Sequence, residues 1–250
     1  MNTYKRLVEM SRNQANYFCL LDPDNLSAEE AKEYAVKSEE NGADGILVGG
    51  SLMYRDSFEE NLKIIKESVK NIPVLIFPGL FNFVSPYADA LLLLSVVSSR
   101  NAQMLIGEQV RAAPLIRKYG IEAIGTGYLL IDGGNNSSVQ YMSHSMPIPH
   151  AKDDIAAVHA LAAQYIGMKI IYMDAGSGAK KPISNSMISL VKSDINIPLI
   201  VGGGIKDPDT AAQKAAAGAD FVVTGNILEK GFDIHLIREF ARAIHSSRKK

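Results

Sequence analysis

The sequence predicts an α/β protein of the (β/α)8 TIM-barrel class, a single domain over residues 1–250 that lacks its third helix. Three observations carry this prediction. Eight short apolar runs recur along the 250 residues. Most are continuous rather than alternating, as parallel strands buried on both faces must be. Each run ends in a Gly, Asp or Ser cluster and is followed by a longer amphipathic stretch. Eight strands alternating with helices at this length fit a barrel, whereas an open doubly wound sheet usually carries fewer.

The first 17 residues mix charges with apolar residues at helical spacing and predict a short helix rather than a leader peptide. Strand one is expected at 17–21. Ser27-Ala-Glu-Glu30 then reads as a capping box, and Asn41-Gly42 as a left-handed stop about four turns later. Strand two is expected at 44–48 and strand three at 73–77. Only residues 78–87 separate it from strand four at 88–94, and Pro78, Gly79 and Pro86 interrupt that link, so no third helix fits. The gap opens an apolar groove floored by Leu80, Phe81 and Phe83, or else forms a surface loop that packs its own aromatics. The remaining strands are expected at 123–131, 169–173, 198–201 and 220–224. Asp207-Pro208 opens the helix before the last strand and Gly218 closes it. The junctions at 41–44 (NGAD) and 217–220 (AGAD) are near copies.

Composition excludes several function classes. Lys and Arg number 26 against 27 Asp and Glu, a net charge of −1, so no cation surplus drives nucleic-acid binding. With 47% hydrophobic and 21% charged residues the chain can bury a sizeable core. The longest purely apolar run, 90–94, is far below the roughly 20 residues of a transmembrane segment. The single Cys19 excludes an internal disulfide and a cysteine zinc site and points to a reducing, cytoplasmic setting; it reads as a small core residue. No two of the five histidines stand at the i, i+4 spacing of paired helical metal ligands.

In a barrel the chemistry sits where strands end. Strand six runs into Asp174-Ala-Gly-Ser-Gly178, strand seven into Gly202-Gly-Gly-Ile205 and strand eight into Thr224-Gly-Asn226. Glycine lets backbone approach a ligand closely, and amides at helix N-termini suit a dianion, so three such loops predict a phosphate site. Strand one ends in Leu20-Leu-Asp-Pro-Asp24. Ser27 already caps the helix that follows, so Asp22 is free to bind Mg²⁺, which takes one or two carboxylates plus waters and substrate phosphates. Gly49-Gly50-Ser51 should lie beside it and add a hydroxyl. Tyr172 and Asp174 share one face of strand six by the strand pleat, and a carboxylate there can bind or deprotonate a substrate hydroxyl.

Taken together, Leu21-Asp-Pro-Asp24, Gly49-Gly-Ser51, Tyr172-Met-Asp-Ala-Gly-Ser-Gly-Ala179, Gly202-Gly-Gly-Ile-Lys206 and Gly225-Asn226 resemble the motifs of the geranylgeranylglyceryl phosphate synthase family. The resemblance spans nearly the whole chain. It implies a Mg²⁺-dependent prenyltransferase that joins sn-glycerol 1-phosphate to a prenyl diphosphate, of geranylgeranyl length, through an ether bond in ether-lipid biosynthesis. It also implies a barrel without its third helix and a homo-oligomer. By motif, Asp22 and Ser51 correspond to Mg²⁺ ligands. Tyr172, Met173, Asp174, Ala175, Gly176, Ser177, Gly178, Gly203, Gly204, Gly225 and Asn226 correspond to the glycerol phosphate site, with Asp22 and Asp174 as the catalytic carboxylates. The prenyl tail would lie along the Phe81 and Phe83 region and the strand-four leucines. Three features depart from the pattern: Leu20 stands where some members carry a Lys, Trp is absent, and residues 133–145 form a polar stretch. Two other readings compete: a phosphate-binding barrel isomerase or lyase, and a non-catalytic barrel that binds a phosphorylated lipid.

Overall fold

The computed structural model describes residues 2–52, 54–79, 83–225 and 233–247. Its eight strands are β1 Asn16–Leu21, β2 Gly45–Val48, β3 Val74–Ile76, β4 Ala90–Val96, β5 Glu122–Leu130, β6 Ile170–Asp174, β7 Leu199–Gly202 and β8 Phe221–Thr224. They pair in sequence order, all parallel, and β8 closes on β1. The helices are α1 Thr3–Asn13, α2 Ala28–Glu40, α3 Phe58–Ser68, α4 Glu108–Tyr119, α5 Ser138–Ser143, α6 Asp153–Tyr165, α7 Asn185–Asp194, α8 Pro208–Ala217 and α9 Ile234–His245. A π-helical turn, Gln103–Gly107, leads into α4.

The capping signals act as expected. Ser27 and Glu30 exchange both capping-box bonds, Asp207 accepts from Thr210 N–H, and Gly42 and Gly218 take left-handed conformations after their helices. Alternate residues of each strand fill the barrel: Phe18, Leu47, Leu75, Leu92, Ile124, Ile170, Ile200 and Phe221 are buried there. The Phe18 ring fits because residue 45 is Gly; a Cβ there would stand 2.6 Å from the ring. Helix α1 covers the N-terminal end, sending Leu7 into the interior cluster, while Thr3 and Tyr4 N–H donate to the Glu122 carboxylate at 2.7 and 3.2 Å. Cys19 faces the outer core, fully buried, and burial pushes its thiol up to about 11.

One device recurs at that N-terminal end. An Asp immediately before an even strand accepts the N–H near the start of the preceding odd strand and bonds a basic side chain from a helix packed beside that strand, α3 for β3, α7 for β7 and, for β1, the last helix α9. Asp44 takes Tyr17 N–H at 2.8 Å and His245 Nε2 at 2.6 Å. Asp89 takes Val74 N–H at 2.8 Å and Lys66 Nζ at 2.7 Å. Asp220 takes Leu199 N–H at 2.8 Å and Lys192 Nζ at 2.6 Å. The near-identical junctions at 44 and 220 are two of these three. At β6 the equivalent residue is Lys169, whose N–H still reaches Gly125 O at 2.7 Å.

Between β3 and β4 the described residues contain no helix. The outer face of β4 is met by α4, the helix that follows it, and by no helix on the β3 side among the described residues: Leu91 and Leu93 pack in the cluster that includes Ala112 and Leu115. Phe83 does not line a groove. It is 1% exposed, edge-on to Phe58 of α3 with ring centroids 5.0 Å apart, because α3 reaches over the gap and takes it into the core. Leu80 and Phe81 lie outside the described residues.

Candidate active site

At the C-terminal end of the strands lies a cavity of about 650 Å³. Its floor and one wall are polar: Asp22, Gly49, Gly50, Ser51, Tyr128, Tyr172, Asp174, Ser177, Gly178, Gly203, Gly204, Lys206 and Gly225. The rest of the lining along β4 and α4 is mostly apolar: Leu91, Leu93, Leu94, Val96, Val84, Met104 and Ala112, with Glu108 and Gln109 among them. Residues from both faces of β4 appear in this wall: Leu91 and Leu93 from the side that packs on α4, Leu94 and Val96 from the interior cluster.

Asp22 is half-buried at the end of β1. Contrary to the sequence reading, it does serve as a cap, but of a one-turn 3₁₀ helix, Pro23–Asn25, that precedes α2: Oδ1 accepts Asp24 N–H at 3.0 Å and Oδ2 accepts from Asn25 Nδ2 at 3.2 Å. Burial raises its pKa, the Asp24 N–H bond opposes this, and the Asp24 charge adds to the rise. Asp24 itself fastens the loop after β2 by accepting the N–H groups of Tyr54 and Arg55. That loop brings Ser51 to the cavity. A Cβ at residue 50 would stand 3.0 Å from Asp22 Oδ2, so the glycine leaves the carboxylate an open side.

Asp174 terminates β6. Its Oδ1 accepts Gly176 N–H and its Oδ2 accepts Tyr128 O–H, both at 2.7 Å. Burial nevertheless raises its pKa, with those two bonds working against the rise. Tyr128 and Tyr172 face one another across the β5–β6 register with ring centroids 5.7 Å apart, and Phe77 lies 4.9 Å from Tyr172. Burial first, and then the Asp174 charge, push both phenols well above their usual range, so both remain protonated donors. Gly203 closes the third side of Asp174. It holds φ +82°, and a Cβ on it would fall 2.6 Å from Oδ1.

Of the residues expected at the glycerol phosphate site, Tyr172, Asp174, Ser177, Gly178, Gly203, Gly204 and Gly225 share the cavity, as do the expected metal ligands Asp22 and Ser51. Met173 and Ala175 turn the other way into the outer core, and the Gly176 N–H is engaged by Asp174. Asn226 lies outside the described residues. Leu20 sits under Gly225, 3.3 Å from where a Cβ would be. Sequence reasoning missed Tyr128, Phe77, Lys206 and the α5 residues Ser138, Val139 and Met142, which roof the cavity. The polar stretch 133–145 thus has a place: Ser137 caps α5 and packs over Gly176, where a Cβ would meet it at 2.6 Å. A period-two reading of β5 would have turned Tyr128 inward beside Thr126 and Leu130; no sequence signal places Lys206 apart from its glycine loop.

Fold and site together define a (β/α)8 barrel whose carboxylates and glycine loops share one cavity with a largely apolar lining along β4, an arrangement suited to a charged reactant beside an apolar one. The sequence pattern of the PcrB family matches residues 8–244, and the chain belongs to that family. A geranylgeranylglyceryl phosphate synthase of Chitinophaga pinensis is 47% identical over 93% of this chain and 91% of that protein. One of Thermococcus kodakarensis is 45% identical over 89% of this chain and 88% of that protein. The crystal structure of (S)-3-O-geranylgeranylglyceryl phosphate synthase from Thermoplasma acidophilum with its substrate sn-glycerol-1-phosphate superposes with a TM-score of 0.93 at 33% identity, covering 98% of this chain and 99% of that one. Tryptophan synthase of M. tuberculosis, at 14% identity and a TM-score of 0.59, shares the fold alone.

Proposed function

We propose that this chain is a prenyltransferase that joins sn-glycerol 1-phosphate to geranylgeranyl diphosphate through an ether bond, in ether-lipid biosynthesis in the cytoplasm. The observation that carries the reading is the single cavity with a carboxylate and glycine-loop floor continuous with an apolar wall along β4. An isomerase or lyase acting on a small phosphorylated substrate has no use for that wall, and a non-catalytic lipid carrier has no use for Asp174 facing a reactant. The match to geranylgeranylglyceryl phosphate synthases over nine-tenths of the chain supports the same choice.

In this reading the glycerol phosphate dianion lies against the loops at Gly178, Gly203, Gly204 and Gly225. Lys206, exposed at the rim, supplies the cation that Leu20 does not. Asp174 receives a hydrogen bond from the acceptor hydroxyl and orients its oxygen toward C1 of the prenyl group. Tyr172 and Phe77 floor the site and keep water from the reacting carbon. Asp22 and Ser51 would hold Mg²⁺: one carboxylate and one hydroxyl on an open side of the cavity form an oxygen donor set that suits a cation completing its shell with waters and phosphate. When bound, the ion supplies charge neutralisation for the diphosphate leaving group. Exposed Tyr165 and Ile166 at the end of α6, Tyr141 of α5 and Met146 just after it support assembly as a homo-oligomer.

Incubation with sn-glycerol 1-phosphate and a ladder of prenyl diphosphates, with Mg²⁺ and with EDTA, tests the reading. The expected outcome is Mg²⁺-dependent ether product, best with geranylgeranyl diphosphate. Turnover of a sugar or indole phosphate with no prenyl transfer would replace it.

A further inference from the structure

The strongest feature that the proposed roles do not use is the Tyr128 phenol. It is wholly buried in β5, it stands beside Tyr172 in register, and its hydroxyl lies 2.7 Å from Asp174 Oδ2. Gly176 N–H takes the other oxygen and the Gly203 backbone closes the third side. A carboxylate offers about four acceptor directions. With one direction on each oxygen used and one flank walled off, the remaining directions turn toward the cavity.

We infer that Tyr128 is a positioning residue of the prenyl transfer proposed above, whose hydroxyl fixes the plane of the Asp174 carboxylate and keeps that carboxylate ionised to receive the acceptor's hydrogen bond. The inference rests on that functional reading. In the step concerned, the acceptor oxygen forms the bond to prenyl C1 as the bond from C1 to the diphosphate oxygen breaks. Diphosphate leaves with the electron pair, and the hydroxyl proton passes to Asp174. Tyr128 gains and loses no proton. A donor that stays protonated at every working pH suits this task, because it stabilises the charge without competing for the proton. A Phe in its place would keep the ring stack and lose only the bond.

The titratable side chains that line the cavity with Asp174 are Tyr128 from β5, Tyr172 from its own strand, Asp22, Glu108 and Lys206. Of these only Tyr128 among the side chains donates to it at hydrogen-bond distance in the described residues. Removing that bond therefore lets the Asp174 pKa rise further. The acid limb of kcat/KM for glycerol 1-phosphate should move upward by about one pH unit in Tyr128→Phe. At neutral pH kcat should fall on the order of tenfold to a hundredfold, with KM for the prenyl diphosphate within twofold.

Two further measurements separate positioning from packing. Replacing Tyr128 by 2,3-difluorotyrosine makes a stronger donor of the same shape, and should move the limb downward. In an Asp174→Asn background Tyr128→Phe should cost little more, since its partner is already gone. An unmoved acid limb in folded Tyr128→Phe, a limb unmoved by the fluorinated residue, or losses that multiply fully in the double variant would each overturn the inference. If Tyr128→Phe does not fold, the fluorinated protein decides. Absence of prenyl transfer in the parent enzyme would instead overturn the functional reading, so the two failures are told apart by the parent assay.

Discussion

The two ends of the barrel use the same side chain to opposite effect. At the N-terminal end, Asp44, Asp89 and Asp220 each take a backbone N–H at 2.8 Å and a basic side chain (His245, Lys66 and Lys192) at no more than 2.7 Å, and each ties an odd strand to the even strand after it. At the C-terminal end, Asp22 and Asp174 take neutral donors only, and neither forms an ion pair among the described residues. Burial accordingly raises the pKa of both. An Asp with its charge matched locally has nothing left to offer a ligand. One held by neutral donors keeps an unmatched charge, which costs stability and attracts a cation or a hydroxyl. In a (β/α)8 barrel this divides stability from chemistry along the strand axis.

The sharpest way to break the comparison is to neutralise the Asp residues of the two ends in turn. Asp174→Asn should lower turnover on the order of 10³-fold, and Asp22→Asn on the order of 10²-fold or more with a higher Mg²⁺ requirement. Both should melt within a few degrees of the parent. Full activity in a folded Asp174→Asn protein would remove the C-terminal end from the chemistry. Smaller, and one-sided, is Gly225→Val. Its added atoms press on Leu20, so KM for glycerol 1-phosphate should rise about tenfold while that for prenyl diphosphate stays within twofold. Equal losses would show that the two reactants do not occupy separate walls. Gly203 is a poorer probe, because any side chain there collides with Asp174 and the Ala175 backbone.

Asp220→Asn carries the other half. It leaves Lys192 without its partner beside a carboxylate site only 3% exposed, so unfolding free energy should fall by about 2 kcal/mol, roughly 4–8 °C at this size. Turnover at 25 °C should stay within twofold. A calorimetric melt beside a steady-state assay checks both, and an Asp220→Asn protein that melts like the parent but loses activity would reverse the assignment of the two ends.

How far the sequence foretells this division depends on the range of the interactions. Strand number, the Ser27–Glu30 and Asp207 caps and the glycine loops are legible because each is written within a few residues. Asp22, Tyr172 and Asp174 are legible because strand ends are known once strands are. Tyr128 is not, because its role arises from the β5–β6 register that sets it opposite Tyr172. The Phe83 expectation fails for a related reason: whether an aromatic beside a missing helix faces a groove or the core depends on α3 and Phe58, 25 residues away in sequence. The free-cap reading of Asp22 fails on a single 3₁₀ turn, since Pro23-Asp-Asn25 suits a tight turn as well as an extended loop.

The smallest expected effect tests the cost of the unmatched charge directly. Asp174 has a raised pKa in the folded protein, so between the ordinary Asp value near 3.9 and the raised value the native state holds a proton that the unfolded chain has lost. More protons bound in the native state means that stability falls as pH rises through this window, and that the penalty is complete above it. Asp174→Asn has no such proton to lose. Its melting temperature relative to the parent's should therefore increase from acid to neutral pH, by about one or two degrees in the ligand-free protein. Asn also loses an acceptor for Tyr128 or Gly176, but that offset is the same at every pH and leaves the slope untouched. A relative melting temperature that stays flat from acid to neutral pH would mean that the neutral donors around Asp174 match its charge as well as a cation would.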